Sequence, residues 1–236
     1  TILEEASEFV HRLNDNSNLP ILTSCCPAWV NYIEHHYPDL LHLPSSCKSP
    51  QNMFGAMAKH YLAPKMDIEP KDMIVVSVMP CIAKKYEASR KELGQDDILD
   101  VDISITTREL AKMIKEAGID FLSLEDDNFD NPMGESTGAA DIFGATGGVL
   151  EAALRTSYEW VTNEELENVN FESVRGFNGI KEASINVGGT IVNVCAASGL
   201  GNAKKIMEEV KAGNSKYHII EIMACPGGCV AGGGQP

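Results

Sequence analysis

Apolar residues in the first segment return with a helical period. Ile2, Leu3, Ala6, Phe9, Val10 and Leu13 share one side, with Glu5, Glu8 and Arg12 on neighbouring turns. Residues 16–18 close that helix. Residues 21–24 then read as a short buried strand delivering Cys25-Cys26-Pro27, and Pro27 suits the first turn of a helix carrying Trp29, Val30, Tyr32 and Ile33. A polar run at 44–50 precedes a helix through Met53, Met57 and Tyr61, and an apolar strand at 73–78 runs into Met79-Pro80-Cys81. Thr106-Thr107-Arg108-Glu109 has the form of a capping box opening a helix that stops at Gly118. The stretch 125–146 turns from acidic to glycine-rich. Its end, 143–148, leads into a helix over 149–155, and such a loop and helix start suit an anion. Segments 183–187 and 190–196 flank Gly188-Gly189 as a hairpin, 202–212 is a helix closed by Gly213, and 217–222 is a strand feeding the terminal loop. Strands alternating with helices predict an α/β fold.

With 236 residues, 44% of them hydrophobic, the chain can bury a sizeable core in one large domain or two small ones. Its formal charge of -15 argues against nucleic acid or an anionic membrane as the main partner. No apolar run approaches the roughly 20 residues of a membrane span, and no basic segment followed by a hydrophobic stretch opens the chain. A soluble protein is expected. Thr1 opens directly on a helical pattern and Pro236 directly follows a glycine run, so both ends read as cut from something longer.

Seven cysteines is an odd number, and Cys25 adjoins Cys26, which is poor material for a disulfide framework. A reducing compartment with metal ligands fits better. In Met223-Ala224-Cys225-Pro226-Gly227-Gly228-Cys229, two thiols three residues apart sit in a nearly side-chain-free loop. Glycine's positive φ lets the amides of such a loop turn toward a bound group. The spacing leans toward iron and sulfur, although a zinc-binding module stays open on the residues alone. Cys26, Cys81, Cys225 and Cys229 all fall on strand ends or tight loops, whereas Cys195 lies within a strand pattern and reads as core. Adjacent residues of an extended segment point opposite ways, so Cys25 and Cys26 are not expected to bind the same site. Cys25 is then either a small buried hydrophobe or a thiol left over for chemistry.

Three stretches in this order, Thr23-Ser24-Cys25-Cys26-Pro27-Ala28-Trp29, Met79-Pro80-Cys81-Ile82-Ala83-Lys84-Lys85 and Met223-Ala224-Cys225-Pro226-Gly227-Gly228-Cys229, closely resemble the signatures of the catalytic domain of iron-iron (FeFe) hydrogenases. Lys48-Ser49-Pro50-Gln51 and the segments 106–114, 143–155 and 199–205 are also similar to that family, so the resemblance covers essentially all of residues 1–236 as one catalytic domain.

The resemblance implies two lobes of mixed sheet flanked by helices with a cluster between them, and an enzyme that interconverts protons, electrons and H2 with ferredoxin as electron partner. The implied cofactor is the H-cluster, a 4Fe-4S cubane joined through one cysteine sulfur to a diiron unit bearing CO, CN and a bridging dithiolate. Motif by motif it makes Cys26, Cys81, Cys225 and Cys229 the cubane ligands, with Cys229 as the bridge. It makes Lys84 the donor to a cyanide, and Ser49, Gln51, Met79, Pro80, Phe143, Gly144 and Met223 the surroundings of the diiron unit. It makes Cys25 the last proton donor, with Glu8, Ser45, Glu5 and Arg12 behind it. Without the resemblance these carboxylates read as a solvated helix face. For the ferredoxin contact, Lys85, Arg90 and Lys91, or Lys204 and Lys205, are the candidate basic patches. The family's upstream and downstream segments are missing from this chain. A cytoplasmic location, or an organelle stroma, is expected. A non-catalytic relative, either a sensory hydrogenase or an iron-sulfur assembly protein, is the alternative.

Overall fold

The computed structural model describes residues 1–134, 137–166, 169, 172–173 and 178–236. In chain order its elements are α1 (Ile2–Asp15), β1 (Ile21–Leu22), α2 (Pro27–His36), α3 (Pro50–Met57), α4 (Ala63–Lys65), β2 (Val76–Met79), α5 (Ala83–Ala88), β3 (Ile103–Thr106), α6 (Thr107–Glu116), α7 (Ala139–Ile142), α8 (Gly148–Thr162), β4 (Glu172–Ser173), β5 (Ile180–Val187), β6 (Thr190–Ser198), α9 (Leu200–Lys211) and β7 (Ile219–Met223). A π-helical turn, Ala58–Leu62, joins α3 to α4. The chain divides into two compact units, Thr1–Ser49 with Gly138–Ala231, and Pro50–Thr137 with Gly232–Pro236.

The first unit is built on a five-stranded mixed sheet ordered β1-β7-β6-β5-β4. β7 runs parallel to both β1 and β6, while β6, β5 and β4 pair antiparallel. Every residue of β7 is buried, as a central strand covered on both faces requires. Its period of two sends Ile219 toward Phe9 of α1 and Leu150 and Leu154 of α8. Ile220 and Ile222 face the other way, toward Trp29 and Ile33 of α2 and Ala203, Ile206 and Met207 of α9. β6 alternates likewise, with Val192, Val194 and Ala196 on the α1 and α8 side and Cys195 and Ala197 on the other. Cys195 is fully buried there, as its strand pattern requires. Each large side chain so enclosed contributes about 1.5–3 kcal/mol. The β5–β6 turn is made by Gly188 and Gly189 with φ of 57° and 93°, the left-handed pair that a two-residue hairpin prefers.

α1 ends on Asn16 in the left-handed conformation. The expected strand at 21–24 is confined to Ile21–Leu22. Beyond it Thr23 still donates its amide to Ile220 O at 3.0 Å, and its hydroxyl accepts Ile222 N–H at 3.4 Å. The expected helix at 149–155 continues to Thr162, because its apolar stripe persists against α1 and the sheet.

The second unit holds a two-stranded parallel sheet, β2 with β3, in register from Val76 opposite Ile103 to Met79 opposite Thr106. The capping box opening α6 has both its bonds: Glu109 N–H to Thr106 Oγ1 at 3.2 Å, and Thr106 N–H to Glu109 Oε2 at 2.7 Å. The buried strand expected at 73–78 is corrected. β2 starts at Val76, and Val76 and Val78 are 51% and 44% exposed while Ser77 is buried. Alternation places the two valines on one face and Ser77 on the other. In this sheet the polar residue faces inward, where its hydroxyl donates to Gln51 Oε1 at 2.7 Å.

Candidate functional site

Within the first unit, the two cysteine-bearing loops leave the same end of the sheet because β1 and β7 are parallel neighbours. β1 passes through Thr23 and Ser24 to Cys25 and Cys26, and β7 passes through Met223 to the 225–229 loop. Cys26 is buried and serves as the N-terminal cap of α2, with Pro27 in its first turn. Its Sγ accepts Ala224 N–H at 3.5 Å, so the backbone of one loop donates to the sulfur of the other.

The 225–229 loop is closely fitted to the 143–148 loop. Gly144 O accepts Val230 N–H at 3.0 Å and Thr146 N–H donates to Gly227 O at 3.2 Å. Gly227 and Gly228 hold φ of 82° and 106°, and a Cβ on Gly228 would stand 2.5 Å from Gly144 O. The loop therefore requires glycine on steric as well as conformational grounds. All seven cysteines are thiols. Among the described residues no three His, Cys, Asp or Glu side chains gather closely enough to hold one metal ion, which is the arrangement a zinc knuckle needs. A four-iron cluster takes one thiolate on each of its four irons, so its cysteines stand farther apart than the ligands of a single ion. Cysteines spread over glycine-lined loops, with an amide already aimed at one sulfur, fit a cluster of that kind.

Cys81 belongs to the second unit, directly after β2 and Pro80. The C-terminal residues seal that turn: Gly234 N–H donates to Pro80 O at 2.8 Å, and Gly234 O accepts Arg108 N–H at 3.1 Å. A Cβ on Gly234 would lie 2.9 Å from the Pro80 carbonyl. Lys84, on the next helix, is buried and ion-paired at 2.9 Å with both oxygens of Glu87, which is also buried. Asn52 Nδ2 donates to Glu87 at 2.7 Å, and Gln51 Nε2 donates to Lys84 O at 3.3 Å. The ammonium is thus held at a fixed place by α3 and α5 together. Met79 is half-buried at the end of β2. In the first unit Met223 and Ser49 are buried, and Phe143 and Gly144 are half-buried.

The polar face of α1 is corrected from solvated to buried. Glu5 is 4% exposed and Ser45 6% exposed. Ser45 Oγ lies 2.8 Å from Glu5 Oε2 and 3.0 Å from Glu8 Oε2, and it accepts Cys47 N–H at 3.1 Å. A hydroxyl has one hydrogen, so it can donate to only one of the two carboxyls. Burial pushes the Glu5 carboxyl up, despite its hydrogen bonds to Ser45 and Cys47. At Glu8, partial burial opposes ionisation, but the Ser46 and Ser45 hydroxyls, the Arg12 guanidinium and the Ser46 amide outweigh it and hold that carboxyl below its ordinary value. The two shifts run in opposite directions, so Glu5 holds a proton more readily than Glu8. Arg12 holds the outer end, bonding Glu8 at 2.5 Å, Leu43 O at 2.8 Å and Pro44 O at 3.0 Å.

Sequence reasoning passed over four participants. Ser46 supplies both its amide and hydroxyl to Glu8, each at 2.9 Å. Cys47 ties this loop to the Cys25 segment through its carbonyl, which accepts the Ser24 hydroxyl at 2.6 Å, and burial pushes its thiol up to about 12. Glu87 is the partner of Lys84. Glu221 corrects the reading of the α8 start as an anion site: its own carboxylate already accepts Gly147 N–H at 2.6 Å and Leu150 N–H at 2.8 Å. A single acid inside the apolar run Ile219-Ile220-Glu221-Ile222-Met223 was the available signal.

A sequence model described as the iron-only hydrogenase large subunit, C-terminal domain, matches residues 1–233. The chain is 57% identical over 238 residues to the periplasmic iron hydrogenase large subunit of Nitratidesulfovibrio vulgaris, covering all of this chain and 56% of that protein. The chain spans about half the length of the curated relatives it matches. It superposes with a TM-score of 0.89 on a variant of the FeFe-hydrogenase HydA1 of Chlamydomonas reinhardtii, at 43% identity, covering all of this chain and 67% of that one. It is also 33% identical over 258 residues to the protein NAR1 of Arabidopsis thaliana, covering 99% of this chain and 54% of that protein.

Proposed function

Because the chain belongs to the iron-only hydrogenase large-subunit family, we propose that it catalyses the reversible reduction of protons to H2. The observation that carries this reading is the hydrogen-bonded chain from buried Glu5 and Ser45 to half-buried Glu8 in the unit that also holds Cys25, Cys26, Cys225 and Cys229. The second reading is a non-catalytic relative, such as an assembly protein of the NAR1 kind, and the presence of both Cys25 and Lys84 favours the enzyme over it.

Cys26, Cys81, Cys225 and Cys229 are the residues that would hold the 4Fe-4S part of the H-cluster, with Cys229 the one that would also join it to the diiron unit bearing CO, CN and a dithiolate. When bound, that cofactor supplies the electron chemistry that joins two protons and two electrons as H2. Lys84, held by Glu87, would donate to a cyanide of that cofactor. Ser49, Gln51, Met79, Pro80, Phe143, Gly144 and Met223 exclude water around the diiron unit. Cys25 holds and releases the proton at the inner end of the relay, since a thiol with a reference pKa of about 8.5 exchanges protons near neutrality. Ser45 takes a proton from Glu5 as it gives its own to Glu8, Glu8 hands that proton on toward Cys25, and a proton taken up by Glu5 restores the chain.

Ferredoxin is the proposed electron partner. Lys85 is ion-paired with Glu109 and Arg90 with Glu92, which lowers the charge those two present. Lys204 and Lys205, exposed on α9, are the second candidate patch. No helix among the described residues is long and apolar enough to cross a membrane. The seven thiols support a reducing compartment, with the cytoplasm as the narrower proposal.

Infrared spectra and H2 evolution from reduced methyl viologen, taken on anaerobically matured protein, test the reading. Metal carbonyl and cyanide bands together with H2 are expected. Cubane absorption with neither bands nor H2 indicates the assembly-protein reading instead.

A further inference from the structure

Glu221 is fully buried and is the one acid of a strand whose other residues are all apolar. Ionising a carboxyl there costs several kcal/mol unless donors replace the water it loses. The donors are at the start of α8. That helix has no side-chain cap, and its first amides have no acceptor within the helix. Glu221 takes two of them, Gly147 N–H and Leu150 N–H. The chain reaches this start on Gly147, with φ of 96°, and Gly148, where a Cβ would stand 1.8 Å from Ile142 O. No local side chain can reach in to cap the helix, so a strand residue does.

We infer that Glu221 is a positioning residue, fixing α8 and the 143–148 loop to β7 so that they buttress the loop bearing Cys225 and Cys229. Both parts of the site hang from one strand. β7 continues through Met223 into the 225–229 loop, and the carboxylate on the same strand holds the neighbouring loop. That neighbouring loop in turn bonds the cysteine loop through Gly144 O and Thr146 N–H. Because Gly144 O lies where a Cβ on Gly228 would fall, at 2.5 Å, the two backbones have no slack. A shift of the α8 start therefore moves the backbone that carries the two thiols. The inference rests on the proposal that those thiols hold a cluster.

The test uses the holoprotein, the variants Glu221→Gln and Glu221→Asp, and Val192→Ala as a control in the same core but outside the site. The glutamine retains one acceptor and sets an NH2 group against the other amide. Hydrogen exchange at Gly147 and Leu150 and the rate of iron release to a ferrous chelator are measured on each protein. For Glu221→Gln, iron release about tenfold faster is expected, with faster exchange at those two amides, as for loss of one hydrogen bond to a charged group. The shorter aspartate falls between, and Val192→Ala releases iron at the wild-type rate although its global stability is lower. Wild-type exchange and iron release in Glu221→Gln overturn the inference, as does accelerated release in Val192→Ala. If the wild-type protein holds no cluster at all, the functional reading fails, and exchange at Gly147 and Leu150 alone then decides whether Glu221 positions α8.

Discussion

Replacing Ser45 with alanine removes one oxygen and, with it, the link between two carboxyls. In the intact protein that oxygen touches Glu5 at 2.8 Å, Glu8 at 3.0 Å and the Cys47 amide at 3.1 Å. Alanine leaves Glu5 Oε2 without its partner, and Glu5 Oε1 already has none. Glu8 keeps Arg12 and Ser46. The loss falls mainly on one buried carboxyl, so stability should drop by about 2 kcal/mol, within the range for leaving a buried polar group unsatisfied. Turnover should fall much further, by roughly two to four orders of magnitude, because the Cys47 thiol, the other group that reaches both carboxyls, has its pKa pushed up to about 12 and is a poor relay, and general acid–base steps are worth about that much. Three measurements separate the effects: urea unfolding, iron content with infrared bands, and H2 evolution from reduced methyl viologen. Ser45→Thr keeps the hydroxyl and should retain much of the activity. Normal turnover in Ser45→Ala with intact infrared bands would refute the relay. Activity lost only in proportion to iron would reduce Ser45 to a packing role.

Further outcomes follow from the same geometry. Cys25→Ser should keep iron and carbonyl bands yet lose H2 evolution by about two to four orders of magnitude, with Cys25→Asp recovering part of it; an active serine variant contradicts the proton role. Cys81→Ala should lose most bound iron and all activity, and full iron content with normal turnover would sink its assignment as a ligand. Gly228→Ala should fail to retain the cluster, since its Cβ would meet Gly144 O at 2.5 Å; wild-type iron retention there would show that the loop can yield. Burial pushes the Glu221 carboxyl from 4.5 up to about 7. Between those values the folded protein binds more protons than the unfolded chain, so stability should fall as pH rises from 4.5 to 7 and level off above it. Relative to Glu221→Gln the fall should be about 3 kcal/mol, at ~1.4 kcal/mol per pH unit, and a flat difference across pH 4.5–8 in urea unfolding would count against it.

Much of this protein was legible from local chemistry. The spacing of Glu5, Glu8 and Arg12, the capping box at Thr106, the Gly188-Gly189 hairpin and the caps at Asn16 and Gly213 depend on residues within a few positions of each other, and near neighbours are what a sequence displays. The thiol signatures were legible for the same reason, since each is a contiguous loop. Burial and pairing were not. Whether α1 turns its acids to water or inward depends on Ser45, 40 residues from Glu5. Once Ser45 lies against them, burial pushes the Glu5 carboxyl up while the donors around Glu8 hold that one down. The start of α8 presents an anion site in sequence, yet its anion is Glu221, more than 70 residues later. β2 has the composition of a buried strand, yet the fold turns Ser77 inward and leaves Val76 and Val78 exposed. Sequence determines which backbone shapes and which donors are available. Only the tertiary structure brings distant groups within the 3 Å or so over which a hydrogen bond forms, and that reach sets the charge, protonation and strain of the site.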